Sequence, residues 1–139
     1  MKNLKWPNRF YEMAELVGSW SKDGRKVGAV VFRGKRHLGS GYNGYPKKVT
    51  DVPDCRSVRL AKTVHAELNA ILACKQDLLG AAIVVTHHPC ASCAAIIIQA
   101  EIEEVYCKVP EGEMVRWAES FALAKEMFED AGIKFVILT

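Results

Sequence analysis

From residue 65 onward the chain alternates helical and strand-like runs, and this alternation constrains its fold more than any other feature. "HAELNAILACKQ" has helical spacing, "AAIVVTH" is a short apolar strand, and "CASCAAIIIQA" is helical again. "EEVYCKV" is a second strand, "EMVRWAESFALAKEMFEDAG" a long amphipathic helix ending at Gly132, and "IKFVIL" a last strand. Strands separated by helices of ten or more residues are joined by crossovers, so they run parallel and lie buried between helices. The expected architecture is α/β, a three-layer α/β/α sandwich. At 139 residues the chain has the length of one domain and can bury a core without disulfide staples, so one domain over 1–139 is expected.

The first sixty residues are read differently. "NRFYEMAELVGSW", residues 8–20, predicts a helix with Asn8 as its N-cap and Phe10, Met13, Ala14, Leu16 and Val17 on its inner side. "KVGAVVFRGKRHLGSGYNG" gives two β-rich runs around Arg33, Gly34 and Lys35, a hairpin that adds an antiparallel edge to the sheet. Residues 45–62, "YPKKVTDVPDCRSVRLAK", hold two prolines and little periodicity, which predicts a surface loop passing into the start of a helix. Loops of this length in compact domains often carry function.

Composition narrows the possible partners. No apolar run approaches the roughly 20 residues that cross a bilayer, so no membrane span is expected. The N-terminal residues lack the apolar core of a secretory signal, which points to the cytoplasm. Five cysteines, an odd number, then argue for reduced thiols or a metal site over a disulfide framework. A formal charge of +3 with scattered Lys and Arg lacks the clustered basic face of a nucleic-acid binder, whereas a small anionic substrate needs only a few cations.

"THHPCASC", residues 86–93, sets Cys90 and Cys93 three positions apart at the start of a helix. Taken alone, the pair fits a redox couple, two small core residues, or part of a metal site, including a closed one completed by Cys55, Cys74 or His88. His65 and Glu67 of "VHAELNAIL" shift the balance. Two thiolates and an imidazole leave a tetrahedral Zn²⁺ one open position, and parallel βα units present both helix N-termini at the same edge of the sheet. Glu67, two residues from His65, is then placed for acid–base work beside the metal. The pair H-x-E and P-C-x-x-C is the signature of zinc deaminases acting on nucleobases. Cys74 and Cys107 are expected in the core and Cys55 as a free thiol.

These residues resemble the cytidine and deoxycytidylate deaminase superfamily, and most closely the deoxycytidylate (dCMP) deaminases, through "SKDGRKVGAVV", "GSGYNGYP", "VHAELNAIL" and "VTHHPCASCAAIIIQA" in family order. The resemblance implies a five-stranded mixed sheet flanked by helices, Zn²⁺ held by His65, Cys90 and Cys93, and Glu67 as proton shuttle. It implies hydrolysis of dCMP to dUMP and ammonia, with dUMP feeding thymidylate synthesis, by a homo-oligomer that in this family is often a hexamer. The Ala66 N–H and carbonyls near Thr86 and His88 are expected at the pyrimidine edge, and Asn43 at the sugar. Arg25 and Lys26 are expected at a 5′-phosphate, each with a plain solvated turn as its alternative. His88 either meets substrate or faces solvent. Arg116 and Trp117 either close over the substrate or, for Trp117, pack in the helix core. The segment 45–64 is shorter than in many allosterically regulated relatives, which argues against control by dCTP and dTTP. Other substrates stay open here: another cytosine nucleoside or nucleotide, or a base in nucleic acid. A non-catalytic zinc-stabilised module is a third reading.

Overall fold

The computed structural model describes residues 3–109 and 113–139, with the side chains of 113–116 excepted. In chain order the elements are α1 (Lys5–Gly18), β1 (Gly28–Arg33), β2 (Arg36–Tyr42), α2 (Arg56–Lys62), α3 (Ala66–Cys74), β3 (Ala82–Val85), α4 (Ala91–Gln99), β4 (Glu104–Cys107), α5 (Glu113–Asp130) and β5 (Lys134–Ile137). The five strands form one mixed sheet in the order β2-β1-β3-β4-β5. Its β3-β4-β5 side is parallel, while β1 pairs antiparallel with both β2 and β3. The expected sandwich with an antiparallel hairpin edge is therefore what the chain forms.

The period-two pattern of the strands divides the core into two layers. Ala29 and Val31 of β1, Ile83 and Val85 of β3, and Val105 and Cys107 of β4 face α3, α4 and α5, meeting Ala70, Ala94, Ile97 and Phe128. The alternate residues Val30, Phe32, Val84 and Tyr106 face α1, where they meet Phe10, Tyr11 and Ala14. Cys74 and Cys107 are buried in this core and Cys55 is an exposed free thiol, as expected.

Two details of α1 depart from expectation. The helix starts at Lys5 with Leu4 as its N-cap, and Asn8 lies in its second turn, donating Nδ2 to the Leu4 carbonyl at 2.9 Å. Pro7 is tolerated because the first-turn N–H groups of a helix have no intrahelical partner to lose. Met13 and Leu16 point outward, 40% and 60% exposed, while Phe10, Tyr11, Ala14 and Val17 face the sheet. The cause is a close contact: a Cβ on Gly28 would lie 1.9 Å from the Ala14 carbonyl oxygen. Only small residues fit at that crossing, and they fix the rotation of α1.

A second close approach positions the chemistry. On β2, a Cβ at Gly41 would fall 2.6 Å from the Ala70 nitrogen, and one at Gly39 would fall 2.7 Å from the Cys74 sulfur. Glycine at both places lets α3 lie directly on the strand. Asn69 of α3 adds a hydrogen bond from Nδ2 to the Tyr42 carbonyl, 2.8 Å.

Candidate active site

His65 is the N-cap of α3 and Cys90 the N-cap of α4, and neither helix receives a side-chain capping bond from its own cap residue. The helix α4 follows the carboxyl end of β3, whereas α3 follows α2 and the isolated bridge of Val64 with Gly44, not a strand of its own. The expected pair of parallel βα units is therefore not what brings the two helix starts together. One helix-start N–H is satisfied from elsewhere: Ala91 donates to Ser120 Oγ of α5 at 3.0 Å, which ties the cysteine turn to the long helix. Sequence reading did not single out Ser120, since nothing local marks it as a cap for a distant helix.

The ligand atoms of His65, Cys90 and Cys93 lie within 4.8 Å of one another. His65 presents Nδ1 to the sulfurs, 3.2 Å from Cys93 and 3.8 Å from Cys90. Hydrogen bonding with the Cys90 sulfur, aided by the charge of Glu67, raises the imidazole pKa. The Cys90 thiol is lowered to about 4, first by its hydrogen bond with Cys93 and then by His65, so it is a ready thiolate. Cys93 is pushed up, because it holds a proton against the Cys90 thiolate and is itself buried. Two sulfurs and an imidazole nitrogen, convergent and easily deprotonated at Cys90, form a donor set suited to zinc, and three protein ligands leave a fourth tetrahedral position.

Glu67 follows in the first turn of α3, 5% exposed. Burial is the main reason its carboxyl sits above the ordinary carboxylate range. The Cys93 thiol and the Glu67 carboxyl act on each other's protonation, the thiol lowering the carboxyl pKa and the carboxyl raising that of the thiol. A buried carboxyl of raised pKa beside a metal centre is suited to accept and return a proton.

His65, Glu67 and Cys90 line a cavity of about 770 Å³, within the usual size of a small-molecule site. Of the candidates read from sequence, His65, Ala66, Glu67, Cys90, Asn43, Arg25, Lys26, His88 and Trp117 all line it, and Cys93 is buried behind Cys90. Asn43 is committed to a neighbouring turn: Oδ1 accepts from the Val27 N–H at 2.9 Å, and Nδ2 donates to the Arg25 carbonyl at 2.8 Å and to Asp23 at 3.2 Å. It therefore shapes the loop that carries Arg25. The Lys26 ammonium donates to the Ser21 carbonyl. The Arg25 guanidinium lies 5.4 Å over the ring of Trp117, which is half-buried at the cavity wall and not in the helix core. The side chain of Arg116 lies outside the described residues.

His88 is buried, not solvent-facing. It stacks on Phe121 at 4.4 Å, meets Phe135 edge-on at 5.1 Å, and engages the Pro89 carbonyl through Nδ1 at 2.8 Å. With Nδ1 as donor, Nε2 is left as an acceptor, and burial lowers its pKa, keeping the ring neutral. His87 also lines the cavity, its Nδ1 3.1 Å from the Thr86 hydroxyl.

Sequence reading passed over part of the cavity wall. Arg56 and Arg59 of α2 line it together with Asp23 and Asp54. Arg59 donates Nε to Asp23 at 2.6 Å and NH1 to Asp51 at 3.0 Å, with its guanidinium 4.7 Å over the Tyr45 ring. Tyr45 and Lys62 both donate to Asp54, at 2.7 and 3.0 Å. No helix among the described residues is long and apolar enough to cross a membrane.

Comparison with known proteins agrees with this geometry. Residues 4–109 match the family described as the cytidine and deoxycytidylate deaminase zinc-binding region. An uncharacterized deaminase of the luxG 3′ region of Aliivibrio fischeri is 49% identical over 134 residues, covering 94% of this chain and 91% of that protein. The deoxycytidylate deaminase of Mus musculus is 34% identical over 143 residues, covering 95% of this chain and 79% of that enzyme. The fold is shared with the crystal structure of dCMP deaminase from the cyanophage S-TIM5 in complex with dCMP and dUMP, with a TM-score of 0.80 and 22% identity over 99% of this chain and 100% of that one. The convergent His65, Cys90 and Cys93 could hold the metal ion that a zinc-binding region of this kind requires, and the chain is a hydrolytic deaminase that belongs to the cytidine and deoxycytidylate deaminase family.

Proposed function

We propose that this deaminase acts on free deoxycytidylate, converting dCMP and water to dUMP and ammonia. The observation that carries the reading is one cavity lined both by His65, Cys90 and Glu67 and by the cations Arg25, Lys26, Arg56 and Arg59. A pyrimidine nucleotide has matching parts, a ring to be hydrolysed and a dianionic phosphate.

Bound by His65, Cys90 and Cys93, zinc supplies the Lewis acidity that makes water a nucleophile near neutral pH. Glu67 accepts the proton of the attacking water, whose oxygen bonds to C4 of the cytosine ring. Its carboxyl then gives that proton to N3, takes up the remaining proton of the new C4 hydroxyl and passes it to the amino nitrogen, so that ammonia leaves as the C4–N bond breaks and the C4 carbonyl forms. Burial of Glu67 helps it hold a proton between these transfers. In this reading the Ala66 N–H, at the start of α3, meets the pyrimidine edge, and Ala66 lines the cavity in support of it. Asn43 orders the turn bearing Arg25, and its Oδ1 keeps one acceptor lone pair for the sugar. Arg25 is the better phosphate ligand of the first pair considered, since the Lys26 ammonium is turned to a main-chain carbonyl.

Ammonia release from dCMP, dCTP, deoxycytidine, cytidine and a single-stranded oligonucleotide tests the substrate. Preferred turnover of dCMP is expected, and its absence would falsify the reading. Assembly of several copies in the cytoplasm is part of the same proposal. The outward stripe of Met13, Leu16 and Trp20 supports it, and light scattering that returns only the monomer mass would remove it.

A further inference from the structure

We propose that Arg56 selects a 5′-phosphorylated substrate over a nucleoside, and that Arg59 is a positioning residue that holds α2 where Arg56 faces the cavity. The inference rests on the nucleotide reading above and adds the residue that enforces it. Four cations line the cavity. Three of them are engaged within the protein: Lys26 with the Ser21 carbonyl, Arg59 with Asp23 and Asp51, and Arg25 over the face of Trp117. The aspartates on the same wall are also occupied, Asp23 by Arg59 and Asn43, and Asp54 by Tyr45 and Lys62. Arg56 lines the cavity too, with no hydrogen bond or ion pair to any other described residue. A guanidinium presents a planar fork of donors that matches a phosphate monoester, and such charge-assisted pairs are the strong ones. The cavity lining thus leaves one positive fork uncommitted.

The way α2 is held explains why a second arginine is needed. No residue of α2 is buried, so no apolar packing fixes it. Polar contacts do so instead. Arg59 reaches across to Asp23, in the turn that also carries Arg25, and the Asn43 amide grips both Asp23 and the Arg25 carbonyl. One network therefore ties α2, which carries Arg56, to the turn that carries Arg25.

The test is steady-state kinetics on dCMP and deoxycytidine, with binding of dUMP and deoxyuridine measured by calorimetry, for wild type, Arg56→Ala, Arg56→Lys, Arg56→Glu and Arg59→Ala. The wild type is expected to bind dUMP more tightly than deoxyuridine. Arg56→Ala should lower kcat/KM for dCMP and weaken dUMP binding roughly ten- to hundred-fold, with deoxycytidine and deoxyuridine changed less than about two-fold. Arg56→Lys should recover part of the loss and Arg56→Glu should deepen it. Arg59→Ala should raise KM for dCMP with kcat little changed, and added to Arg56→Ala it should cost almost nothing further, because it acts through Arg56. Equal losses on nucleotide and nucleoside, or no loss in Arg56→Ala, overturn the assignment. So does a wild type that binds dUMP no better than deoxyuridine. A wild type that discriminates by phosphate in binding yet turns over no dCMP would instead sink the substrate proposal and leave the Arg56 assignment standing.

Discussion

The two parts of the site, the packed end on α3 and α4 and the polar end on α2, are held by opposite means. The bodies of α3 and α4 are anchored by Ala70, Ala94 and Ile97, each fully buried. The helix α2 has no buried residue and is tied down by the partly exposed ion pairs of Arg59 with Asp23 and Asp51 and of Lys62 with Asp54. Atoms that must be placed to a fraction of an ångström sit on packed helices, while atoms that meet a flexible, charged group sit on a segment free to adjust. Exposed ion pairs contribute little to global stability, so the polar end can change without unfolding the packed one.

The sharpest way to break this comparison is to strike each end and ask what is lost. Glu67→Ala removes the proton carrier and should lower kcat by roughly 10²- to 10⁴-fold while the purified protein keeps its zinc. Retained activity with full metal content would show that Glu67 is only a helix residue. Removing the metal with a chelator should abolish turnover and also lower the melting temperature, because a ligand bound to the native state at about 1,000 times its Kd stabilises by roughly 4 kcal/mol. Arg59→Ala, by contrast, should leave the melting curve almost where it was. If the two changes lowered the melting temperature equally, the contrast between the ends would be wrong.

A smaller effect tests how the packed end is held. Gly41→Ala puts a methyl 2.6 Å from the Ala70 nitrogen and 2.7 Å from Asn69 Cβ, both on α3. The helix must shift, at a cost of about 1–3 kcal/mol by the usual scale of overpacking. His65 and Glu67 shift with it, so activity should fall more than stability alone explains. Denaturant unfolding and metal affinity, measured on the same variant, check both parts.

What the sequence disclosed follows the same division. The zinc end was legible because its residues come from short motifs on regular helices, and metal chemistry demands particular side chains at particular spacings. The sheet was legible because Val30 and Val31, or Val84 and Val85, alternate between two buried faces in a run too short for a helix. The rotation of α1 was not, since it depends on one contact between Gly28 and Ala14 that joins distant parts of the chain. His88 could be placed near the site but not between Phe121 and Phe135, which arrive from α5 and β5. Arg56 and Arg59 lie in "DCRSVRLAK", where apolar periodicity carries no signal because the helix has no buried face. A loop held by ion pairs leaves no hydrophobic pattern to read.

The smallest effect concerns pH, and it separates latch from ligand. The Tyr45 hydroxyl, and after it Lys62, hold the Asp54 carboxyl below its ordinary value of 3.8. A depressed carboxyl contributes its interaction above the unfolded pKa and loses it only as pH falls through the lower folded value. The Asp54 contacts are therefore intact across pH 5–8. A phosphate monoester, with a second pKa of about 6, does change charge in that window. KM for dCMP should rise as pH drops from 7 to 5, with deoxycytidine showing no matching trend. Tyr45→Phe should leave that profile in place, because the charge being lost belongs to the substrate. A profile that moved with Tyr45→Phe would instead place the titration in the latch, making this part of the wall a proton-sensitive element and not only a passive holder of Arg56.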